Sequence, residues 1–91
     1  MNIIRRNLGS LEGFEFTAPS GVYRARPREV VGRGKDRWTL WCPGETRWPV
    51  AYFHTVAQAE RFVRTYDKAL TEGDQITPAW VREIVTEIKG D

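Results

Sequence analysis

Residues 36–66 read DRWTLWCPGETRWPVAYFHTVAQAERFVRTY, and this stretch decides the fold. Its first part holds two aromatic-rich runs, 37–42 and 48–54, separated by five residues that include Pro and Gly. Two such runs joined by a short Gly-containing loop predict a β-hairpin. Thr55 and Gln58 then form a capping-box pattern, so a helix is predicted to begin directly after the second strand.

The helical part of the chain is marked by caps and by apolar periodicity. Gly73 is expected to end the first helix, which gives a helix over about 56–72. Thr77 as cap and Pro78 at the first helical position predict a second helix over about 78–89. Both helices carry one apolar stripe at steps of three and four residues. The stripes consist of Val56, Ala59, Phe62, Val63, Tyr66, Ala69 and Leu70, and of Trp80, Val81, Ile84, Val85 and Ile88.

Two further strands are predicted before the hairpin, over about 12–17 and 21–26, with a turn between them. The fold class is therefore α+β: a small antiparallel sheet of three to four strands, followed by two helices packed on one face. The length of 91 residues fits a single domain over 1–91, strand-rich over 12–54. For residues 1–10 the sequence leaves open whether the segment is ordered or flexible.

The simplest register of the hairpin places Cys42 opposite Trp48 and Trp38 opposite Tyr52. Side chains alternate across a strand, so this register sorts them onto two faces, and a slip of one residue would exchange the faces of one strand. The predicted core face carries Trp38, Leu40, Cys42, Trp48, Val50 and Tyr52. The predicted outer face carries Arg37, Thr39, Trp41, Pro49, Ala51 and Phe53, with Arg24 and Arg26 of the preceding strand. Trp41 is either exposed or covered by the strand around Phe14, and nothing local decides between these.

Charge and cysteine content limit the functional classes. The net charge is only +2, yet residues 1–54 carry nine basic against five acidic side chains, and most of the basic ones are arginine. Arginine suits contacts with phosphate and carboxylate, although a solvated surface explains the same excess. The lone Cys42 allows no internal disulfide and fits a reducing compartment, so a cytoplasmic location is expected. No apolar run is long enough to cross a membrane, and no membrane partner is expected.

No catalytic or metal-binding pattern stands out, so we predict that the protein is not an enzyme and uses no cofactor. One Cys and one His are too few for a zinc site. In the predicted hairpin Cys42 and His54 lie on the order of 20 Å apart, too far for a nucleophile and its base. The segment 32–36 is too short for a phosphate-binding loop and is expected to be a flexible connection. No small-molecule substrate is inferred.

The stretch 36–66 resembles the arm-type DNA-binding domains at the N-termini of phage integrases, in which a three-stranded sheet contacts DNA and a helix supports it. The matching positions are Trp38, Phe53, Thr55, Ala59 and Phe62. The whole chain also resembles short, arginine-rich accessory proteins of bacteriophages from high-GC hosts. This resemblance implies a role in modulating a host or phage macromolecule.

Two functional hypotheses follow. The first is a module for protein–protein interaction or self-association, with a protein partner or a second copy meeting the exposed aromatics. The alternative is a nucleic-acid-binding domain that uses the basic, aromatic outer face of the sheet. The candidate binding residues for either are Arg24, Arg26, Arg28, Arg33, Lys35, Arg37, Trp41 and Phe53.

Overall fold

The computed structural model describes residues 2–28 and 36–90, which form an antiparallel sheet followed by two helices. The predicted α+β class is confirmed. The sheet has five strands in chain order, where three to four were predicted, and the helices pack on one side of it. The elements are β1 Ile4–Gly9, β2 Gly13–Ala18, β3 Gly21–Pro27, β4 Trp38–Trp41, β5 Ala51–Phe53, α1 Val56–Thr71 and α2 Pro78–Lys89.

The additional strand, β1, lies in the N-terminal segment whose order the sequence left open. It pairs with β2 in antiparallel fashion, with Arg5 opposite Phe16 and Arg6 opposite Glu15. Its sequence shows no apolar alternation because an edge strand at the rim of the sheet buries little surface. All of its residues except Leu8 are exposed. Pairing with β2 positions this strand, and Arg5 Nη1 also lies 3.6 Å from Glu60 Oε1 of α1.

A glycine sets the start of β2. Gly13 has a φ of +86°, a conformation that other residues adopt only with strain. A Cβ atom at this position would also collide with the backbone carbonyl of Ala25 on β3. Only glycine therefore allows β2 to turn out of the β1–β2 connection and lie against β3.

The register of the hairpin between β4 and β5 differs by one residue from the prediction. Trp38 pairs with Phe53 and Leu40 pairs with Ala51. The slip exchanges the two faces of β5, so Phe53 is fully buried, whereas Tyr52 is 39% exposed. The predictions that Phe53 faces outward and Tyr52 faces the core are therefore wrong.

The loop between these strands explains the slip. The connection spans residues 42–50 and is longer than the predicted five-residue turn. The Glu45 carboxylate accepts hydrogen bonds from the backbone N–H groups of Arg47 at 2.7 Å and Trp48 at 3.3 Å, which holds this segment as a folded loop. Trp48, predicted to be in the core, consequently lies outside the strand and is 72% exposed.

The helix boundaries agree closely with the prediction. Thr55 caps α1, its hydroxyl accepts from the Gln58 backbone N–H at 3.1 Å, and the complete capping box is present. The Thr77 hydroxyl caps α2 by accepting a hydrogen bond from the Trp80 backbone N–H at 3.1 Å, with Pro78 in the first turn. Only two residues separate β5 from α1. Phe53 therefore lies against Phe62 of the helix, with ring centres 5.5 Å apart.

The core lies between the sheet and α1. Its largest members are Phe16, Tyr23, Leu40, Phe53 and Phe62, all fully buried. α2 lies at the margin of this core, where only Ile88 is fully enclosed and the rest of its stripe is half-buried.

One charged residue lies inside the core. Asp67 of α1 is fully buried, and its Oδ1 accepts a hydrogen bond of 2.8 Å from the Tyr23 hydroxyl. Its Oδ2 has no hydrogen-bond partner among the described residues. Asp67 follows Ala59 and Val63 at four-residue steps, so it occupies the apolar stripe of the helix.

A second polar cluster ties α2 to the sheet. The Asp36 carboxylate, just before β4, lies 2.7 Å from Lys89 Nζ at the end of α2. His54 Nε2 lies 3.5 Å from the same carboxylate, and Arg28 Nη1 lies 3.9 Å from it. One anion thus joins the ends of β3, β5 and α2.

Candidate nucleic-acid interface

The side of the sheet that faces away from the helices forms the candidate interface, which we call the open face. Its residues alternate along the strands with the buried ones. Tyr23 and Ala25 of β3 are fully buried, whereas Arg24 and Arg26 between them are exposed, as predicted. The open face consists of Ile4, Arg6, Glu15, Thr17, Val22, Arg24, Arg26, Thr39, Trp41 and Tyr52.

Strand pairing arranges these side chains in rows across the sheet. One row runs from Arg6 through Glu15 and Arg24 to Trp41. The next row places Arg26 beside Thr39 and Tyr52. Directly opposed side chains on one face of a sheet lie about 5 Å apart, so each row is a set of contacting neighbours.

The two central arginines form loose ion pairs. Arg24 Nη2 lies 3.7 Å from Glu15 Oε1, and Arg26 Nη2 lies 3.9 Å from Glu12 Oε2. Both arginine side chains are about half exposed. Exposed pairs at such distances contribute roughly 0–1 kcal/mol, so an incoming anion can replace the glutamates at small cost.

Trp41 lies between two depressions in the open face. One has a volume of about 200 Å³ and is lined by Arg24, Arg26, Trp41, Glu45 and Thr46. The other has about 340 Å³ and extends from the same tryptophan over the 42–46 part of the loop. Trp41 is half-buried and lines both depressions.

Glu45 is the acidic member of this site. Because its carboxylate accepts hydrogen bonds from loop N–H groups, chiefly those of Arg47 and Trp48, its pKa is lowered. The group is therefore anionic at neutral pH and is held in one orientation. An anchored carboxylate beside an aromatic ring can accept hydrogen bonds from a ligand.

The remaining predicted basic residues have other environments. The Arg28 guanidinium lies 4.2 Å from the centre of the Tyr52 ring, a cation–π contact, and its side chain is only 11% exposed. Arg37 donates to the backbone carbonyl of Asp36 at 3.3 Å. The Arg28 side chain is therefore mostly buried and contributes to packing at the edge of the sheet.

The structure brings together Arg24, Arg26 and Trp41 of the predicted binding residues. Phe53 is in the core on the opposite side, while Arg33 and Lys35 lie outside the described residues. Glu45, Thr46 and Tyr52 were missed. Tyr52 would have been recognised from the correct register, because that register places it on the open face beside Thr39 and Arg26.

A second surface lies between α2 and β5. Two adjoining depressions share Val50, Val81 and Arg82, and their walls are mainly apolar. The exposed Trp48 precedes Val50 by two residues, so an unburied indole lies close in sequence to an apolar groove.

Cys42 and His54 have different partners. Burial raises the pKa of the Cys42 thiol, which hydrogen-bonds with the Tyr66 hydroxyl. Burial also raises the pKa of Tyr66, to about 12. His54 lies against Asp36 instead. Within residues 2–28 and 36–90 no three His, Cys, Asp or Glu side chains cluster as metal ligands would.

Comparison with known proteins adds no assignment: no family model, no curated protein and no solved structure matches the chain. In the described part of the chain, neither helix has the length and apolar character needed to traverse a bilayer.

Proposed function

We propose that the protein is a non-catalytic binding module that binds nucleic acid through the open face. The observation that carries this proposal is that Arg24, Arg26 and Trp41 line one and the same depression. Guanidinium groups suit phosphate, and an accessible indole suits stacking with a base.

The stability of the fold gives an independent reason. Arg24 and Arg26 contribute little to folding, because their ion pairs are long and both guanidinium groups are about half exposed. Trp41 leaves part of a large apolar ring accessible beside them. Side chains that the fold does not need, gathered at one place, are what a binding surface requires.

Phe53, a predicted contact residue under both hypotheses, is buried and cannot contribute to a binding surface. The nucleic-acid hypothesis, which needs arginines together with one accessible ring, keeps its central residues. This difference leads us to place nucleic-acid binding first.

The test is binding of labelled single-stranded and duplex DNA at low salt, followed by a salt titration. Affinity should fall linearly on a double-logarithmic plot, as expected for release of counterions. The double variant Arg24→Ala/Arg26→Ala should bind more weakly and reduce the salt slope by about 1 to 2.

The matched control is Arg64→Ala/Arg82→Ala, which removes the same charge from the helical side. It should retain the affinity of the unchanged protein within a few-fold. Equal losses in both double variants, or no binding of either DNA at micromolar protein, would refute the proposal.

A second candidate function is self-association, favoured by the 72% exposure of Trp48 and by the apolar groove along Val50 and Val81. In a two-fold contact, Trp48 of each copy would enter the groove of the other. Light scattering should then show a mass that rises with concentration and falls for Trp48→Ser. A strict monomer over the whole range would rule this out.

We also propose a setting: an accessory protein of a bacteriophage that acts in the cytoplasm on a nucleic acid or a protein partner. The support is the resemblance to short, arginine-rich phage proteins and a single cysteine that forms no internal disulfide.

A further inference from the structure

The depression beside Trp41 is not uniformly basic, and this limits what it can hold. Its lining combines two guanidinium groups, one carboxylate, one hydroxyl and an indole ring, from Arg24, Arg26, Glu45, Thr46 and Trp41. A phosphate next to the Glu45 carboxylate would be repelled. The phosphate contacts therefore belong on the arginine side, and a neutral, flat group belongs between the indole and Glu45.

The donor and acceptor pattern of the lining selects among the bases. An ionised carboxylate only accepts hydrogen bonds and a guanidinium only donates them. Guanine has adjacent donors at N1 and N2 on its pairing edge, and adjacent acceptors at O6 and N7 on its major-groove edge. No other standard base offers a pair of adjacent donors to one carboxylate.

Glu45 is suited to this contact because the loop already holds it. The hydrogen bonds from Arg47 and Trp48 go to Oε1, at 2.7 and 3.3 Å. The carboxylate therefore loses little rotational freedom when a ligand arrives, and a preorganised group binds at lower entropic cost than a mobile one.

We propose that this depression is a subsite for one unpaired guanine of a single-stranded nucleic acid. The base stacks on Trp41, its N1–H and N2–H groups donate to Glu45, and an arginine donates to O6 and N7. The neighbouring arginine contacts the backbone phosphate. Because the pairing edge of the base is used, a guanine in a duplex does not fit. This inference rests on the proposed nucleic-acid binding.

The test compares short thymine oligonucleotides that carry one guanine, adenine, cytosine or hypoxanthine at the centre. The guanine oligonucleotide should bind about tenfold more tightly than the adenine and cytosine ones, in keeping with a bidentate contact at a partly exposed site. Hypoxanthine lacks the N2 amino group but keeps N1–H, O6 and N7, so its affinity should lie between that of guanine and those of adenine and cytosine.

The decisive variant is Glu45→Gln, whose amide oxygen can still accept the loop hydrogen bonds but which offers only one acceptor atom. It should lose much of the guanine preference, because only the arginine contact with O6 and N7 still distinguishes the bases, whereas Glu72→Gln on the helical side should keep the preference in full. Thermal unfolding of Glu45→Gln checks that the loop and fold are retained.

The outcomes separate the subsite from the general function. Salt-dependent binding without base preference, or a preference unchanged in Glu45→Gln, would overturn the guanine subsite and leave nucleic-acid binding standing. Tight binding of a duplex guanine would overturn it as well. Absence of binding to every oligonucleotide at low salt would overturn both proposals.

Discussion

The two faces of the sheet are built from alternating residues of the same strands, yet they differ in almost every property. On β3, Tyr23 and Ala25 are fully buried against the helical side, whereas Arg24 and Arg26 are exposed. On β5, Phe53 is buried and Tyr52 is exposed. One face is specified by packing and the other is free of that constraint, so residues on the open face are available for binding.

The largest difference between the faces should appear in neighbouring residues of β5. Phe53→Ala removes a fully buried ring and should cost about 3–5 kcal/mol of unfolding free energy. Tyr52→Ala, one residue away on the open face, should cost less than about 1 kcal/mol, mainly from the lost contact with Arg28. Urea denaturation measures both. Equal costs would contradict the register and with it the assignment of the faces.

The buried hydrogen bond between Tyr23 and Asp67 provides a second test of the core face. Tyr23→Phe leaves the enclosed Asp67 carboxyl without its hydrogen-bond donor and should cost about 1–3 kcal/mol. Tyr66→Phe removes only a hydroxyl that bonds to the Cys42 thiol, so a smaller loss is expected. Denaturant unfolding measures both variants. A larger loss of unfolding free energy in Tyr66→Phe than in Tyr23→Phe would show that the hydrogen bond to Asp67 is not the main polar contribution to the core.

Alkaline pH tests the same region. The folded-state pKa of Tyr66 is raised to about 12 from an ordinary value of 10.0, because burial disfavours the phenolate. Its contribution to stability is therefore fully present below pH 10 and is lost as the pH rises towards 12. Tyrosinate absorbance of the folded protein, compared with that of Tyr66→Phe, should show one phenol that ionises late. Ionisation of that phenol near pH 10 would contradict its burial.

The capping box is expected to have a moderate effect. Thr55→Ala removes the acceptor for the Gln58 backbone N–H and should cost about 1 kcal/mol. Thr55→Ser retains the hydroxyl and serves as the control in the same thermal unfolding experiment. A loss equal in both variants would show that the cap hydrogen bond is not the cause.

The smallest effect on stability should come from the arginines of the open face. Arg24→Ala and Arg26→Ala should each change the free energy of unfolding by less than about 0.5 kcal/mol, since both ion pairs are long and both arginine side chains are about half exposed. A loss of 2 kcal/mol or more in chemical denaturation would show that these residues serve the fold, and would remove the reason for assigning them to binding.

The sequence predicted those parts of the fold that depend on local signals. The caps at Thr55 and Thr77 and the outward direction of Arg24 and Arg26 follow from short patterns, and they agree with the structure. The register of β5 could not be predicted in this way, because it depends on how the Glu45 carboxylate folds the loop. Strand β1 lacked a pattern because it buries little.

Part of the candidate site was predictable for the same reason. The alternation of side chains along β3 and β4 correctly placed Arg24 and Trp41 on the same face of the sheet, where both line one depression. Glu45 was not recognised, because its position beside Trp41 results from the loop and not from any alternation. The buried Asp67 was missed because charged residues on a helix usually face solvent, although its four-residue spacing from Val63 was a usable signal.

The most direct test of the open-face proposal is to follow the backbone amide and indole signals of the isotope-labelled protein by NMR while a single-stranded oligonucleotide is added. Shift changes are expected in β3, in β4 and in the adjoining loop, centred on Arg24, Arg26, Trp41 and Glu45, with α1 and α2 little affected. Changes centred on the groove between α2 and β5, or no changes at all, would contradict it.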